Sequence, residues 1–276
     1  MSKEKKFAVD PMTPTFGAEV LGIDLSEQLS ESVLKDLEAE LLKWKVLFFR
    51  NQHIGIEDQK RLGSWFGKLE VHPTAQHNPE VVRIEEDDKR RAHNNLWHSD
   101  MSFKLEPPLG SILKAEEIPA VGGDTLFADM EQAYQGLSNE IKQLIDDAHA
   151  LHCWPSAWID LAMSSEGISD RDEFRRQCPD PEHPVVRSHP QTGNKSLYVN
   201  TAFTRRIIGM NKSESDELLK KLYQQASIPE YQCRFRWQKN SVAFWDNRCT
   251  QHYAVADFFP MRRIVERITI CGNIPH

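Results

Sequence analysis

Short apolar runs separated by polar, glycine and proline positions dominate the chain and predict strands more often than helices. Alternating or continuous apolar runs predict strands in the N-terminal half at 16–25, 46–49, 81–85 and 110–115. Similar runs in the C-terminal third predict strands at 184–188, 197–200, 232–237, 241–245 and 263–271. Strands at this density, with helices gathered on one side, favour a β-sandwich or jelly roll decorated by helices.

Apolar residues at helical spacing predict the helices. We expect them at 31–44, 57–66, 130–150 and 213–226. Ser30 can cap the first of these, and Gly67 ends the second at a position that suits a left-handed cap. Leu137 and Ser138 mark a break inside the third.

Three segments are predicted to lie outside regular elements. Residues 87–95 are polar and read as a loop, and 121–124 read as a turn. Residues 154–180 show only a weak periodicity of hydrophobic and polar positions, so we expect a lid or an insertion there. We expect the whole chain, residues 1–276, to form a single domain.

Composition narrows the class of protein. The chain has 276 residues, 39% hydrophobic and 27% charged, which is typical of a globular enzyme. The net charge of −7 argues against a nucleic-acid-binding protein. Five scattered cysteines indicate free thiols in a reducing compartment. No signal peptide or membrane span is apparent, so the sequence predicts a cytoplasmic protein without a membrane partner.

The segment LWHSDMSF, residues 96–103, places His98 and Asp100 two positions apart. On a strand these positions share a face, so both side chains could reach one metal ion, although a structural hydrogen bond would give the same pattern. His252, which follows the predicted strand 241–245, is the best candidate for a third ligand. Such a 2-His-1-carboxylate site leaves coordination positions open, as in non-haem Fe(II) oxygenases.

Arg263 and Arg267 lie four residues apart on the last predicted strand and therefore share a face. Isoleucines surround them, which disfavours the alternative of two arginines on a solvated strand edge. Arginines that point into a barrel are costly unless they meet anions, and a guanidinium binds carboxylates and sulfonates well. The sequence therefore predicts a metal beside two anion sites.

Five segments together resemble a known family. They are WHSDMSF (97–103), GGDTLF (122–127), HPVVRSHPQTG (183–193), LYVNTAFTRRI (197–207) and WDNRCTQHYAVADFFPMRRIVERITI (245–270). The sequence resembles the taurine dioxygenase family of Fe(II)/2-oxoglutarate-dependent oxygenases over nearly its whole length. This resemblance implies an all-β core with flanking helices, arranged as a double-stranded β-helix, or jelly roll, with iron in its mouth.

The resemblance also implies roles for individual residues. His98, Asp100 and His252 match the family's iron ligands, and Thr125 and Arg263 match the positions that bind the distal carboxylate of 2-oxoglutarate. The implied reaction uses O₂ and 2-oxoglutarate, gives succinate and CO₂, and hydroxylates a C–H bond. Asp100 favours hydroxylation over halogenation, because related halogenases have a small residue there. A homo-oligomer, dimeric or tetrameric, is also implied.

The substrate pocket follows from the same resemblance. Arg267 matches the sulfonate-binding position of the taurine enzyme, and His72 matches a second sulfonate contact. Asn94 matches a contact near the substrate amine, and Phe203 matches an aromatic wall. His72 could instead shape a turn, Asn94 could be solvated, and Phe203 could belong to the core.

Two positions depart from the taurine pattern. Ala75 stands where the taurine enzymes have tyrosine, and Trp154 stands where they have phenylalanine in the aromatic wall. Loss of a tyrosine hydroxyl removes a polar partner near the amine, and a hydrogen-bonding site discriminates strongly between substrates. These departures weaken the case for taurine itself more than the case for a sulfonate or sulfate.

Three hypotheses remain open. The first is hydroxylation of the carbon bearing a sulfonate, which releases sulfite. The second applies the same chemistry to an alkyl sulfate, a phenoxyalkanoate or another small carboxylate. The third is a jelly-roll metal protein without redox chemistry, which Thr125 and Arg263 disfavour because it has no need of a carboxylate-binding pair.

Overall fold

Antiparallel strands build the centre of the molecule, and helices cover its outer faces. The computed structural model describes residues 6–72, 78–91, 94–166 and 169–276. The strands are β1 (Ala8–Pro11), β2 (Ala18–Leu21), β3 (Val46–Phe49), β4 (Val81–Glu86), β5 (Gly110–Glu117), β6 (Thr125–Asp129), β7 (His149–His152), β8 (Glu182–Pro184), β9 (Val186–Ser188), β10 (Lys195–Leu197), β11 (Thr204–Ile207), β12 (Gln232–Phe235), β13 (Val242–Asp246), β14 (Thr250–Ala254) and β15 (Arg263–Ile270).

The helices lie between these strands in the sequence. They are α1 (Glu31–Trp44), α2 (Ile56–Phe66), α3 (Met130–Gln135), α4 (Asn139–Ile145), α5 (Ser156–Glu166), α6 (Arg171–Gln177) and α7 (Lys212–Gln224). In the described part of the chain, none of them is both long and apolar enough to cross a lipid bilayer. The predicted helices 31–44, 57–66 and 213–226 are confirmed to within two residues at each end.

Two sheets face each other across an aromatic core. The larger has the strand order β1-β2-β3-β13-β5-β15-β4, antiparallel except where β2 pairs with β3, and a smaller sheet has the order β12-β6-β14. Phe48 of the larger sheet stacks on Phe235 at 4.1 Å and meets Phe127 edge-on at 5.6 Å between ring centroids. Fully buried aromatic rings of this kind contribute a large share of core stability.

Helices cover the outer faces of both layers. Val33, Leu37 and Leu41 of α1 belong to one cluster with Leu47, Phe49 and other side chains from the far face of the larger sheet. A separate cluster joins α3, α4 and α7 to β9 and β10. The structure is thus mostly β with flanking helices, as the sequence predicts.

The helix predicted at 130–150 is partly wrong. The break expected at 137–138 is confirmed, since α3 ends at Gln135 and Ser138 accepts a hydrogen bond from the Ile141 N–H at the start of α4. However, the helix ends at Ile145, and β7 occupies 149–152, where it pairs with β8 and β11. Tertiary pairing determines the conformation of this short segment, which its own sequence does not specify.

Other local predictions also need correction. Gly67 has an extended backbone, with φ of 162°, and is not a left-handed cap. The strand predicted at 197–200 lies earlier, at 195–197, where it pairs with β9. The sequence analysis missed β14, which contains His252, and β11. The weakly patterned segment 154–180 contains the short helices α5 and α6.

A buried ionic network fixes the turn between β13 and β14. Both carboxylate oxygens of Asp246 accept hydrogen bonds from the Arg248 side chain, at 2.8 and 2.6 Å, and one also accepts from His189 at 3.0 Å. Burial by itself would raise the pKa of Asp246, but the Arg248 and His189 interactions outweigh burial and hold that pKa well below its usual range.

We expect Asp246→Asn to lower the free energy of unfolding by about 3–5 kcal/mol at neutral pH, because it leaves the Arg248 guanidinium buried without a counter-charge. The depressed pKa means that the carboxylate stabilises the fold fully above about pH 4 and loses this effect as the pH falls further. Urea denaturation should therefore show the two proteins converging in acid. Asp216→Asn, at an exposed ion pair with Lys212, is the control and should change stability by less than about 1 kcal/mol. A pH-independent difference would contradict this account.

Candidate metal and anion site

His98 and His252 face each other across an isolated antiparallel bridge between the segment after residue 96 and strand β14. The N–H of each donates to the carbonyl oxygen of the other, at 3.1 and 2.9 Å. Directly opposed residues of an antiparallel pair have neighbouring side chains, so the two imidazoles lie 4.2 Å apart between ring centroids. Asp100, two residues after His98, completes the group.

The three side chains present their donor atoms to one point. The Nε2 atoms of His98 and His252 are each 3.8 Å from Asp100 Oδ1, and a ligand atom from each residue lies within 4.8 Å of the others. Two bonds of about 2.1 Å to a shared ion can span such separations. All three side chains are buried, and their spacing suits a divalent metal ion.

The protonation states of His98, His252 and Asp100 also suit metal binding. His98 Nδ1 donates to the Leu96 carbonyl at 2.7 Å, so its Nε2 lone pair is free to bind an ion. Burial, followed by the neighbouring His98, lowers the pKa of His252 to about 3. Burial would raise the pKa of Asp100, but Arg267 and the two histidines bring it down to about 2. Neutral imidazoles and an ionised carboxylate are the forms that coordinate metals.

Asn247 and Ser111 hold Asp100 in place. Asn247 Oδ1 accepts from the Asp100 N–H at 2.7 Å, while its Nδ2 donates to the Asp100 carbonyl at 3.0 Å. Ser111 donates to Asp100 Oδ2 at 3.1 Å, which leaves Oδ1 directed at the histidines. The next residue, Met101, has a left-handed backbone with φ of 47°, so Asn247 fixes the chain immediately before a strained turn.

We call His98, Asp100 and His252 the metal group. A cavity of about 290 Å³ opens from this group between the two sheets. Besides the three candidate ligands, the cavity is lined by residues of both sheets, of α5 and of the connecting segments: His72, Val82, Ile84, Glu86, Asn94, Met101, Phe103, Leu113, Thr125, Phe127, Trp158, Phe203, Trp245, Ala254, Arg263, Val265 and Arg267. Of the residues predicted for the site from the sequence, only Trp154 is absent from this lining.

Thr125 and Arg263 both line the cavity and both lie beside the ring of Trp237. Trp237 donates its indole N–H to Thr125 Oγ1 at 2.9 Å, so the threonine hydroxyl is free to donate elsewhere. Arg263 NH1 donates to Glu86 Oε2 at 3.0 Å, and Arg263 Nε is buried without a partner among the described residues. A buried donor without an acceptor is costly, and a carboxylate ligand would satisfy it.

The second arginine lies closer to the metal group. Arg267 NH1 donates to Asp100 Oδ1 at 3.0 Å, and its Nε also lacks a partner within the described ranges. Burial, with a smaller effect from Arg267, lowers the pKa of His72, which keeps that imidazole neutral. The structure therefore brings the buried Arg263, the partly buried Arg267 and the three candidate metal ligands to one cavity.

Aromatic rings form another part of the cavity lining, and one of them differs from the sequence prediction. Phe203 and Phe103 lie 5.0 Å apart between ring centroids, and Phe203 meets the ring of His98 edge-on. Trp154 packs behind Phe103, against Phe174, and does not reach the cavity. Trp158, on α5, lines the cavity instead. Ala75, the other departure noted in the sequence, lies outside the described residues.

A second buried group has metal-ligand chemistry but no capacity for an ion. His189, Asp246 and Cys249 lie close enough to share one. However, both oxygens of Asp246 already accept from Arg248 and His189. His189 Nδ1 accepts from two backbone N–H groups, so its Nε2 is protonated and unable to bind metal. We interpret this group as the structural network of the β13–β14 turn.

Comparison with known proteins agrees with this geometry. Residues 8–269 match the model of the family described as taurine catabolism dioxygenase TauD, TfdA family. The chain belongs to this TauD/TfdA family. An alkylsulfatase of Acinetobacter baylyi is 37% identical over 272 residues, covering 95% of this chain and 84% of that protein.

Two further relatives of this TauD/TfdA protein are also named as dioxygenases. An α-ketoglutarate-dependent sulfate ester dioxygenase of Pseudomonas putida is 35% identical over 278 residues, covering 97% of this chain and 90% of that protein. A crystal structure of a taurine dioxygenase from Burkholderia xenovorans superposes with a TM-score of 0.84 at 34% identity, covering 98% of this chain and 92% of that one.

The sequence analysis missed four residues of this family member's site: Ser111, Asn247, Glu86 and Trp158. A signal existed for Glu86, because alternation along β4 places Val82, Ile84 and Glu86 on one face, but the strand was predicted to end one residue earlier. Asn247 contacts the backbone of Asp100, and Ser111 contacts the Asp100 carboxylate. These contacts are visible only in the folded structure, so no signal in the sequence identifies either residue.

We expect Asn247→Ala to weaken Mn²⁺ binding by about 10–100-fold, because the Asp100 backbone loses the two hydrogen bonds that position its carboxylate. Isothermal titration calorimetry with Mn²⁺ measures the effect. Asn194→Ala, which removes an amide bonded to Glu131 far from the site, is the matched control and should bind Mn²⁺ as the wild type does. Equal affinities in both variants would show that Asn247 does not position Asp100.

Proposed function

We propose that this TauD/TfdA family member is an Fe(II)- and 2-oxoglutarate-dependent dioxygenase that hydroxylates the carbon bearing a sulfate ester or a sulfonate. The observation that supports this most directly is the single cavity shared by the His98, Asp100 and His252 group and two arginines, the buried Arg263 and the partly buried Arg267. Hydroxylation gives a carbon with both a hydroxyl and a sulfur oxyanion leaving group. That product collapses to an aldehyde and sulfate from an ester, or sulfite from a sulfonate.

His98, Asp100 and His252 would hold the iron as a facial triad with open coordination positions. Bound Fe(II), with 2-oxoglutarate and O₂, supplies the oxidising chemistry for the C–H bond and leaves succinate and CO₂ as co-products. Asn247 and Ser111 keep the Asp100 carboxylate oriented while ligands exchange. The His98 hydrogen bond to Leu96 fixes the tautomer that presents Nε2 to the metal.

Thr125 and Arg263 would bind the distal carboxylate of 2-oxoglutarate. The Trp237 indole occupies one acceptor site of the threonine oxygen, so the hydroxyl proton points to an incoming anion. The buried, unsatisfied Nε of Arg263 offers a second donor. A hydroxyl and a guanidinium in an enclosed site bind a carboxylate by charge-assisted hydrogen bonds.

Arg267 and His72 would bind the sulfur oxyanion of the substrate. Arg267 supplies positive charge beside the metal group, and the neutral His72 ring adds a hydrogen-bonding edge without further charge. Met101, Phe103, Phe203 and Trp158 would surround the carbon chain with apolar surface. An anionic head held beside the metal places the adjacent carbon nearest to it, which is the carbon to be hydroxylated.

The same lining disfavours an amino group on the substrate. Among the described lining residues the carboxylates are Asp100 and Glu86, and each already pairs with an arginine. An ammonium group would find no free counter-charge among these described residues, and burial of an unpaired cation would be costly. We therefore favour an alkyl sulfate or alkylsulfonate without an amine over taurine.

The remaining sequence predictions fit this proposal. The two facing sheets support a jelly-roll arrangement within a single domain over 1–276. Trp158 lines the cavity from α5, which supports a role for 154–180 as a covering segment. The homo-oligomer implied by the resemblance remains a prediction.

The first test is release of sulfur oxyanion by purified protein with Fe(II), ascorbate, 2-oxoglutarate and O₂. Alkyl sulfates, alkylsulfonates, taurine and a phenoxyalkanoate are compared, and succinate is measured in parallel. We expect sulfate or sulfite to equal succinate for an unsubstituted alkyl chain and taurine to be a poor substrate. Coupled turnover of the phenoxyalkanoate alone would overturn the sulfur assignment but retain the dioxygenase.

We expect Arg267→Ala to lower kcat/KM for the preferred sulfur substrate by about 100-fold, because a buried charge-assisted contact to the anion is lost. Binding of 2-oxoglutarate to the Mn²⁺ form should change by less than about threefold. Arg262→Ala is the matched control, since Arg262 is exposed and pairs with Glu85 and Glu117. Unchanged kcat/KM in Arg267→Ala would exclude Arg267 as the substrate's anion site.

A further inference from the structure

Strands β4 and β15 place three cross-strand pairs on the cavity wall. Arg263 lies opposite Glu86, Val265 opposite Ile84, and Arg267 opposite Val82. All six side chains line the cavity. Directly opposed residues are close neighbours in an antiparallel pair, so Arg263 has Glu86 beside it, while Arg267 has Val82 on one side and Leu113 of β5 on the other.

The two arginines are therefore not equivalent. The partner of Arg263 is a carboxylate, and both members of that pair are more than nine-tenths buried. The cross-strand neighbours of Arg267 are apolar. Glu86 cancels much of the Arg263 charge within the cavity wall, while the carboxylate that Arg267 contacts is Asp100, a candidate metal ligand whose charge a bound ion would share.

Glu86 also fixes which edge of the Arg263 guanidinium is available. Its Oε2 accepts from NH1 at 3.0 Å, while Nε remains buried without a partner in the described structure. A carboxylate ligand is then left with the Nε side of the guanidinium and the Thr125 hydroxyl. Such a site suits a carboxylate that belongs to a ligand bound elsewhere at its opposite end.

We propose that Glu86 is a specificity-determining residue that keeps Arg263 available for 2-oxoglutarate by weakening its attraction for free sulfur oxyanions. This inference rests on the proposed function, because it requires 2-oxoglutarate at Arg263. A chelating co-substrate gains affinity from the metal and tolerates a partly neutralised arginine. Free sulfate, the product of sulfate-ester cleavage, depends on charge alone and gains little there.

The electrostatics predict unequal effects of removing the Glu86 charge. The interaction of Glu86 with a ligand scales with the ligand's charge. Inorganic sulfate carries two negative charges and the distal carboxylate of 2-oxoglutarate carries one. Glu86→Gln therefore favours sulfate more than it favours the co-substrate, while the amide oxygen can still accept from Arg263 NH1.

The experiment measures 2-oxoglutarate binding to the Mn²⁺-loaded protein by calorimetry, with and without sodium sulfate at matched ionic strength. For Glu86→Gln we expect sulfate to compete about tenfold more strongly than in the wild type, and 2-oxoglutarate alone to bind up to about threefold more tightly. Competition that persists in Glu86→Gln combined with Arg267→Ala assigns the sulfate to Arg263. Loss of competition in this double variant would overturn the proposal.

Glu85→Gln is the matched control, because Glu85 is adjacent on β4 but partly exposed, outside the cavity lining and paired with Arg262. It should show wild-type sulfate competition. Glu86→Asp provides a second measurement if the glutamine variant does not fold. It retains the negative charge beside Arg263, so sulfate should compete no more strongly than in the wild type.

The outcomes separate this inference from the proposed function. If the wild-type Mn²⁺ form fails to bind 2-oxoglutarate, the proposed function fails, and this inference fails with it. If the wild type binds 2-oxoglutarate but Glu86→Gln shows unchanged sulfate competition, only the role of Glu86 is overturned. Stronger sulfate competition in Glu86→Asp would also contradict it.

Discussion

The backbone bridge between His98 and His252 is the constraint on which the candidate site depends. It joins two segments that are distant in the sequence and makes two imidazoles lateral neighbours. Asn247 extends the same connection, because it bonds to both backbone groups of Asp100 from the turn that leads into β14. The buried Asp246 network then fixes that turn. The geometry of three candidate ligands is thus set by backbone hydrogen bonds and by one amide, before any ion contributes.

Charge balance is the second constraint, because a cavity between two sheets cannot hold unpaired charges cheaply. Asp100 faces Arg267 and Glu86 faces Arg263, so the described wall is neutral overall before ligands enter. A metal dication adds two positive charges, which 2-oxoglutarate and a monoanionic substrate more than offset. The alternation of β4 and β15 therefore determines both where anions bind and how strongly each arginine attracts them.

Much of this arrangement could be predicted from the sequence. The strand periodicity indicates a β core, and the spacing of His98 and Asp100, together with the family resemblance, identifies the candidate ligands and both arginines, all of which the structure brings to one cavity. Short segments such as 149–152 could not be predicted, because their strand conformation comes from pairing with distant residues. The sequence predicts Trp154 in the aromatic wall, but it packs against Phe103 and Phe174, and Trp158 of α5 reaches the cavity instead.

The apolar wall completes the argument for substrate class. Phe203 packs against Phe103 and against His98, so the aromatic part of the described lining offers dispersion contacts and no counter-charge. A substrate with one anionic head and an uncharged chain satisfies both faces at once. A zwitterion would leave its cation against aromatic carbon, next to two carboxylates whose hydrogen bonds are already directed at arginines. The distribution of charge around the cavity, more than its volume, therefore favours alkyl sulfates and alkylsulfonates over amino-substituted ones.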